Sequence, residues 1–129
     1  MNHIRLSIAS LAAAAALAPA VPAMAQVVDI AWSQAGTFER ELSVAPGKFA
    51  EVCGPLMPGQ AVQWRFTGSQ AMDFDIHFHE GKEVRYPQRS PQVRESQGTL
   101  AVDAAQDYCW MWTNKSAAAA SLRVRLQRQ

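Results

Sequence analysis

The sequence is short of cysteine, histidine and surplus charge, and each shortage removes a class of function. Only two cysteines, Cys53 and Cys109, occur among 129 residues. Their wide spacing offers no Cys-x-x-Cys redox or zinc pattern. Basic and acidic side chains number 12 and 11. Without Arg5, which lies in a leader-like start, the balance is 12 − 1 = 11 against 11, net zero with neutral histidine. Nucleic-acid binding needs a surplus of Lys and Arg on one face, so nucleic acid is not an expected partner. After the leader no stretch is apolar over the ~18 residues that a membrane span requires. The chain has no glycine-rich phosphate loop, no His-Glu-x-x-His and no Gly-x-Ser-x-Gly. Asp73 and Asp75 stand side by side on one segment, whereas glycoside hydrolysis needs carboxylates facing each other across a cleft. An enzyme is not expected, nor is a cofactor.

What is present begins with "MNHIRLSIASLAAAAALAPAVPAMAQ". His3 and Arg5 give a basic start, an alanine-rich apolar run follows from Leu6 to about Leu17, and Ala23-Met24-Ala25 places small residues at cleavage spacing. This pattern predicts a bacterial secretory signal peptide over residues 1–25 and a single mature domain over 26–129, periplasmic or secreted. No lipobox cysteine follows the run, so a soluble product is expected. In an oxidising compartment an even cysteine count most simply gives one Cys53–Cys109 disulfide; the alternative is a pair of metal-binding or redox thiols.

Period-2 alternation dominates the rest. Val62, Trp64 and Phe66 share one face of "AVQWRFTG", and Met72, Phe74, Ile76 and Phe78 share one face of "AMDFDIHFHE". Leu122, Val124 and Leu126 alternate with Arg123, Arg125 and Gln127. Such patterns predict half-buried antiparallel strands. Weaker candidates are Val27–Trp32, Phe38–Val44, Phe49–Cys53, Val84–Tyr86 and Thr99–Val102, punctuated by Gly and Pro turns. The expected fold is all-β, an antiparallel β-sandwich of seven or eight strands. Pro87–Gly98 is polar and reads as a mobile loop; Lys115–Ser121 reads as a loop between strands. In "DYCWMWTN", Tyr108, Trp110 and Trp112 share one face, Cys109 and Met111 the other. This is a central strand, its aromatic face either core or a surface that holds a ligand such as a soft metal ion or an apolar molecule.

Three stretches carry a family resemblance: Cys53-Gly54-Pro55-Leu56-Met57-Pro58-Gly59 leading into the Trp64/Phe66 strand, "DFDIHF" from Asp73 to Phe78, and "YCWMWTN" from Tyr108 to Asn114. Together they resemble the GOLD domain, the lumenal β-sandwich of the emp24/p24 family and of several lipid-transfer proteins, over about Leu42–Leu126. The sequence departs from that family at its second cysteine, where Met111 stands; Cys109, two residues earlier, keeps the same sheet face. The family's coiled coil, membrane span and cytosolic tail have no counterpart. The resemblance implies a GOLD/jelly-roll-like sandwich that binds proteins or small ligands through a face or loops.

The remaining question is the "DFDIHFHEG" stretch. A hairpin turning at Thr67–Ala71 would pair Trp64 with Phe74 and set Arg65 opposite Asp73 and Gln63 opposite Asp75. A three-residue turn Glu80-Gly81-Lys82 would set His79 opposite Glu83 and His77 opposite Arg85, with positive φ at Gly81 or its neighbour. His77 and His79 then point the same way, with Glu83 as a third ligand for Zn²⁺ or Cu²⁺ and Asp75 in reserve; Arg85 opposes a dication. The metal motif of cupin barrels is similar, but no later histidine completes it here. The competing reading is a solvated face with pH-sensitive histidines. The leading expectation is a non-catalytic periplasmic module that binds a protein or small molecule through the His77/His79 strand, the Pro87–Gly98 loop and the Tyr108/Trp110/Trp112 face. The alternative is metal handling through His77, His79 and Glu83.

Overall fold

The computed structural model describes residues 12–18 and 25–129; most of the expected leader lies outside them. Among the described residues there are seven strands and no helix: β1 (Gln26–Asp29), β2 (Thr37–Val44), β3 (Phe49–Leu56), β4 (Ala61–Glu80), β5 (Glu83–Ala101), β6 (Gln106–Thr113) and β7 (Ala120–Arg128). The strands run β1-β3-β6-β4-β7-β2, with β5 on the other side of β4. Among the described residues only the β1–β3 pairing is parallel. The all-β expectation and the strand count hold, in a mixed rather than purely antiparallel sheet that closes into a near barrel.

β4 is the organising element. Residues 62–68 pair with β7, residues 73–77 pair with β6, and β5 follows both halves. The expected hairpin at Thr67–Ala71 is therefore corrected: the chain bends there and continues as one strand. Between Thr67 and Met72 the partner strand advances only from Glu95 to Val93, so β4 bulges, and a bulge bends a strand without reversing it. Gly68 sits at the bend, where a Cβ would fall 3.1 Å from the backbone oxygens of Arg94 and Gln70. The bend keeps the apolar alternates of both halves on the concave side. Phe66 and Phe74 meet there at 4.7 Å, and Trp112 of β6 closes on them at 5.4 and 5.6 Å. Such fully buried aromatics contribute roughly 2–3 kcal/mol each in transfer terms.

Two further expectations are corrected. The 87–98 segment is strand, not loop: it lies in β5, which among the described residues pairs only with β4 and so forms an edge along its length. Its polarity reflects that edge, and Pro87, Pro91 and the positive φ of Gln92 (49°) suit a strand that must not recruit another. The β4–β5 turn has two residues, Gly81 and Lys82, between the paired Glu80 and Glu83. Gly81 takes φ 61°, as the first central position of a type II′ turn requires. Phe78 consequently lies level with Arg85 and His79 with Val84. An exposed edge tolerates that mismatch because the Arg85 side chain reaches solvent.

Candidate functional site

Two outward faces carry chemistry, one on each half of β4. The first lies over β3, β6 and the C-terminal half of β4. Alternation sends Val52, Trp110 and Ile76 inward as one row, so the adjacent rows point outward: Cys53, Cys109 and His77 in one, Glu51, Met111 and Asp75 in the next. Cys53 and Cys109 are direct cross-strand partners with Cα atoms 4.1 Å apart, joined as a disulfide. Strand pairing alone brings these cysteines together, since no turn or loop separates them from their neighbours.

His77 stands beside the disulfide and is only 5% exposed. Its Nδ1 is 2.7 Å from Oδ1 of Asp75, and its Nε2 is 3.6 Å from Oε2 of Glu51. The His79 ring, at 5.4 Å, and the Tyr86 ring, at 6.0 Å, help cover it, and the Arg89 guanidinium stacks over Tyr86 at 3.7 Å. The hydrogen bond to Asp75 raises the His77 pKa; burial opposes this, and the charges of Asp75 and Glu51 add to it. The Glu51 carboxyl is also raised, chiefly by desolvation. The face is therefore not simply solvated: His77 is a buried, hydrogen-bonded imidazole, while His79 is exposed.

The expected ligand trio is not brought together: the ligand atoms of His77, His79 and Glu83 do not gather within 4.8 Å of one another. Glu83 is paired with Arg85 on its own strand, and Glu80 approaches the same guanidinium at 3.8 Å. The Arg65–Asp73 and Gln63–Asp75 pairings expected from the hairpin are also absent from their places. Arg65 lies opposite Gln97 and Arg125, and Asp73 opposite Thr113. Asp73 instead accepts from Gln92 at 2.8 Å and pairs with Lys115 at 2.6 Å, and these contacts lower its pKa. Tyr108, Trp110 and Trp112 are 2%, 0% and 0% exposed, so this aromatic row is core.

The second face lies over β7, the N-terminal half of β4 and the C-terminal half of β5. Gln63, Arg65, Gln97, Thr99, Arg125 and Gln127 line a groove of about 690 Å³. Arg65 and Arg125 are direct cross-strand partners, an arrangement that is unfavourable for like charges. Glu39 of β2 holds Arg123 at 2.9 Å and Arg125 at 3.5 Å, and these arginines lower its pKa. Among the described residues no carboxylate lies within ion-pair distance of Arg65. The groove thus presents positive charge among amides. Sequence reasoning missed it, although the Arg123/Arg125 alternation was visible, because the partner arginine lies on a strand far away in the chain.

No protein-family model and no curated protein matches the sequence. The structure is similar to that of Aeromonas hydrophila PliG, a periplasmic lysozyme inhibitor of g-type lysozyme, at TM-score 0.63 and 15% identity, covering 82% of this chain and 98% of that one. Salmonella Typhimurium PliG, with the same description, matches at TM-score 0.55 and 13% identity over 81% and 99% of the two chains. The pre-peptidase C-terminal domain of a Bacillus anthracis collagenase matches at TM-score 0.55 and 8% identity over 86% and 100%. These neighbours correct the GOLD resemblance. The residues that suggested it have local causes: Met57–Gln60 form the turn after β3, and Asn114 ties down the loop after β6 through Ser116 and Ala118. What the comparisons establish is a fold shared with the PliG inhibitors and the collagenase domain.

Proposed function

We propose that this chain is an exported, non-catalytic module that acts in the periplasm by binding a protein. The observation that carries this reading is the arginine groove. Arg65 and Arg125 are placed side by side against their own repulsion, on one sheet, with neutral amides around them, and among the described residues no carboxylate is within ion-pair distance of Arg65. A partner that brings a carboxylate into this groove relieves that repulsion and gains paired, charge-assisted hydrogen bonds. The disulfide and the signal-like leader support an oxidising compartment. The likeness to periplasmic inhibitors of g-type lysozyme supports an inhibitor or capture role and names the first partner to try.

The test uses residues 26–129 with the disulfide intact. Calorimetry with a g-type lysozyme should give a one-to-one complex that inhibits the enzyme and weakens with salt. Arg65→Glu/Arg125→Glu should weaken it at least tenfold. No complex with that lysozyme, together with repeated recovery of the protein alone from periplasmic extracts, would overturn the reading.

A further inference from the structure

We propose that Cys53, Cys109, Glu51 and His77 form a zinc site that the disulfide keeps closed and that reduction opens. The sulfur atoms of both cysteines and a carboxylate oxygen of Glu51 lie within 4.8 Å of one another. His77 stands outside this triangle on the Glu51 side, its Nε2 3.6 Å from the same carboxylate. Two thiolates, an imidazole and a carboxylate are the ligand types that tetrahedral zinc takes. All four side chains project from the same outward face, on β3, β6 and β4.

The surroundings of His77 favour this use. Asp75 sits 2.7 Å from Nδ1, so in the neutral ring Nδ1–H donates to Asp75 and Nε2, on the Glu51 side, keeps its lone pair free. A carboxylate behind a histidine in this way fixes the tautomer and orients the ring of a metal ligand. The mixed carboxylate, imidazole and thiolate set matches Zn²⁺ better than Cu⁺, which prefers sulfur alone.

The chemistry balances simply. A dithiol reductant gives two electrons and two protons to the Cys53–Cys109 bond and leaves as its own disulfide. Zinc then displaces the two thiol protons to solvent and binds both thiolates. While the disulfide is intact its sulfurs are poor ligands, and Glu51 with His77 supply only two donors.

The experiment reduces residues 26–129 with a phosphine under anaerobic conditions and titrates Zn²⁺ against a chromophoric chelator, with circular dichroism recorded throughout. The expected result is one equivalent bound with micromolar or tighter affinity in the reduced protein and none in the oxidised protein. Cobalt substitution should show a thiolate charge-transfer band with tetrahedral d–d transitions. Glu51→Gln and His77→Ala should each weaken binding in the reduced protein at least tenfold. If reduction unfolds the protein, zinc should refold it. Binding unaffected by Glu51→Gln and His77→Ala, binding of Cu⁺ but not Zn²⁺, or a reduced chain that zinc neither binds nor refolds would each overturn the proposal.

Discussion

Gly98 lies against the indole of Trp64, its cross-strand partner: a Cβ at Gly98 would fall 2.7 Å from Cζ2 and 3.0 Å from Cε2. The aromatic ring covers the glycine and stabilises an otherwise weak point of the edge strand, as aromatic partners of sheet glycines do. Gly98→Ala should therefore lower stability by about 1–3 kcal/mol through overpacking. Urea unfolding should show a lower midpoint with an unchanged slope. Since both residues line the arginine groove, the variant should also change partner binding.

Asn114 is fully buried at the end of β6 and satisfies its surroundings completely. Its Nδ2 donates to the carbonyls of Val44 at 3.0 Å and Ala118 at 2.7 Å, while Oδ1 accepts from the Ser116 N–H at 3.0 Å. Asn114→Ala should leave these groups without partners and cost roughly 2–4 kcal/mol, at about 1–3 kcal/mol for each orphaned buried group. Asn114→Asp should also destabilise, because an oxygen then faces the two carbonyls. Thermal unfolding of both variants measures the loss.

The disulfide closes a loop between positions separated by 56 residues. In the chain-entropy model Cys53→Ala/Cys109→Ala should lose roughly 4 kcal/mol. Denaturant titration of that variant beside the parent measures the difference, and an unchanged midpoint would contradict the entropic account.

His77 fixes one branch of the pH dependence. Its folded pKa is raised by Asp75 and Glu51, with His79 and Tyr86 the other titratable groups against it. A raised imidazole adds stability that is complete below the unfolded value near 6.5 and is lost as pH rises through the folded value. Glu51, also raised, acts in the same direction at lower pH. Asp73, lowered, acts in the opposite one, its contribution being lost as pH falls. Stability should thus decline on going from mildly acidic to mildly alkaline pH, and His77→Gln should flatten that decline. NMR titration should place the His77 midpoint above the ordinary histidine value.

With the disulfide intact, Zn²⁺ and Cu²⁺ should bind no tighter than millimolar, because the ligand atoms of His77, His79 and Glu83 do not converge and Glu83 is held by Arg85. Calorimetry with His79→Ala as the control checks this; micromolar binding lost in that variant would restore the His-x-His site.

The sequence revealed the elements with one wet and one dry face. β2, β3, β6 and β7 lie close to where alternation put them, and the inward set Trp64, Phe66, Phe74 and Ile76 is core. Two features escaped. "TGSQA" has the composition of a turn, and nothing local separates a bend from a reversal; the difference is that the two halves of β4 find separate partners, β7 and β6. The middle of β5, residues 87–98, shows no apolar alternation because it is an edge strand, so it passed for a loop, whereas Val84–Tyr86 and Thr99–Val102 at its ends were read as strand. The same limit governed the sites. Cys53 and Cys109 were legible as a pair, but the nearness of Glu51 to His77 and of Arg65 to Arg125 is created by strand pairing across distant parts of the chain.

The shared β4 strand has a mechanical consequence. The arginine groove and the disulfide patch are mounted on one continuous backbone, Arg65 on one half and His77 on the other. With no linker between them, the two patches have a fixed separation and a fixed angle. A partner that engages both must match that spacing in advance. The bulge between Thr67 and Met72 re-aims the strand, so it fixes the angle at which one backbone presents the two patches.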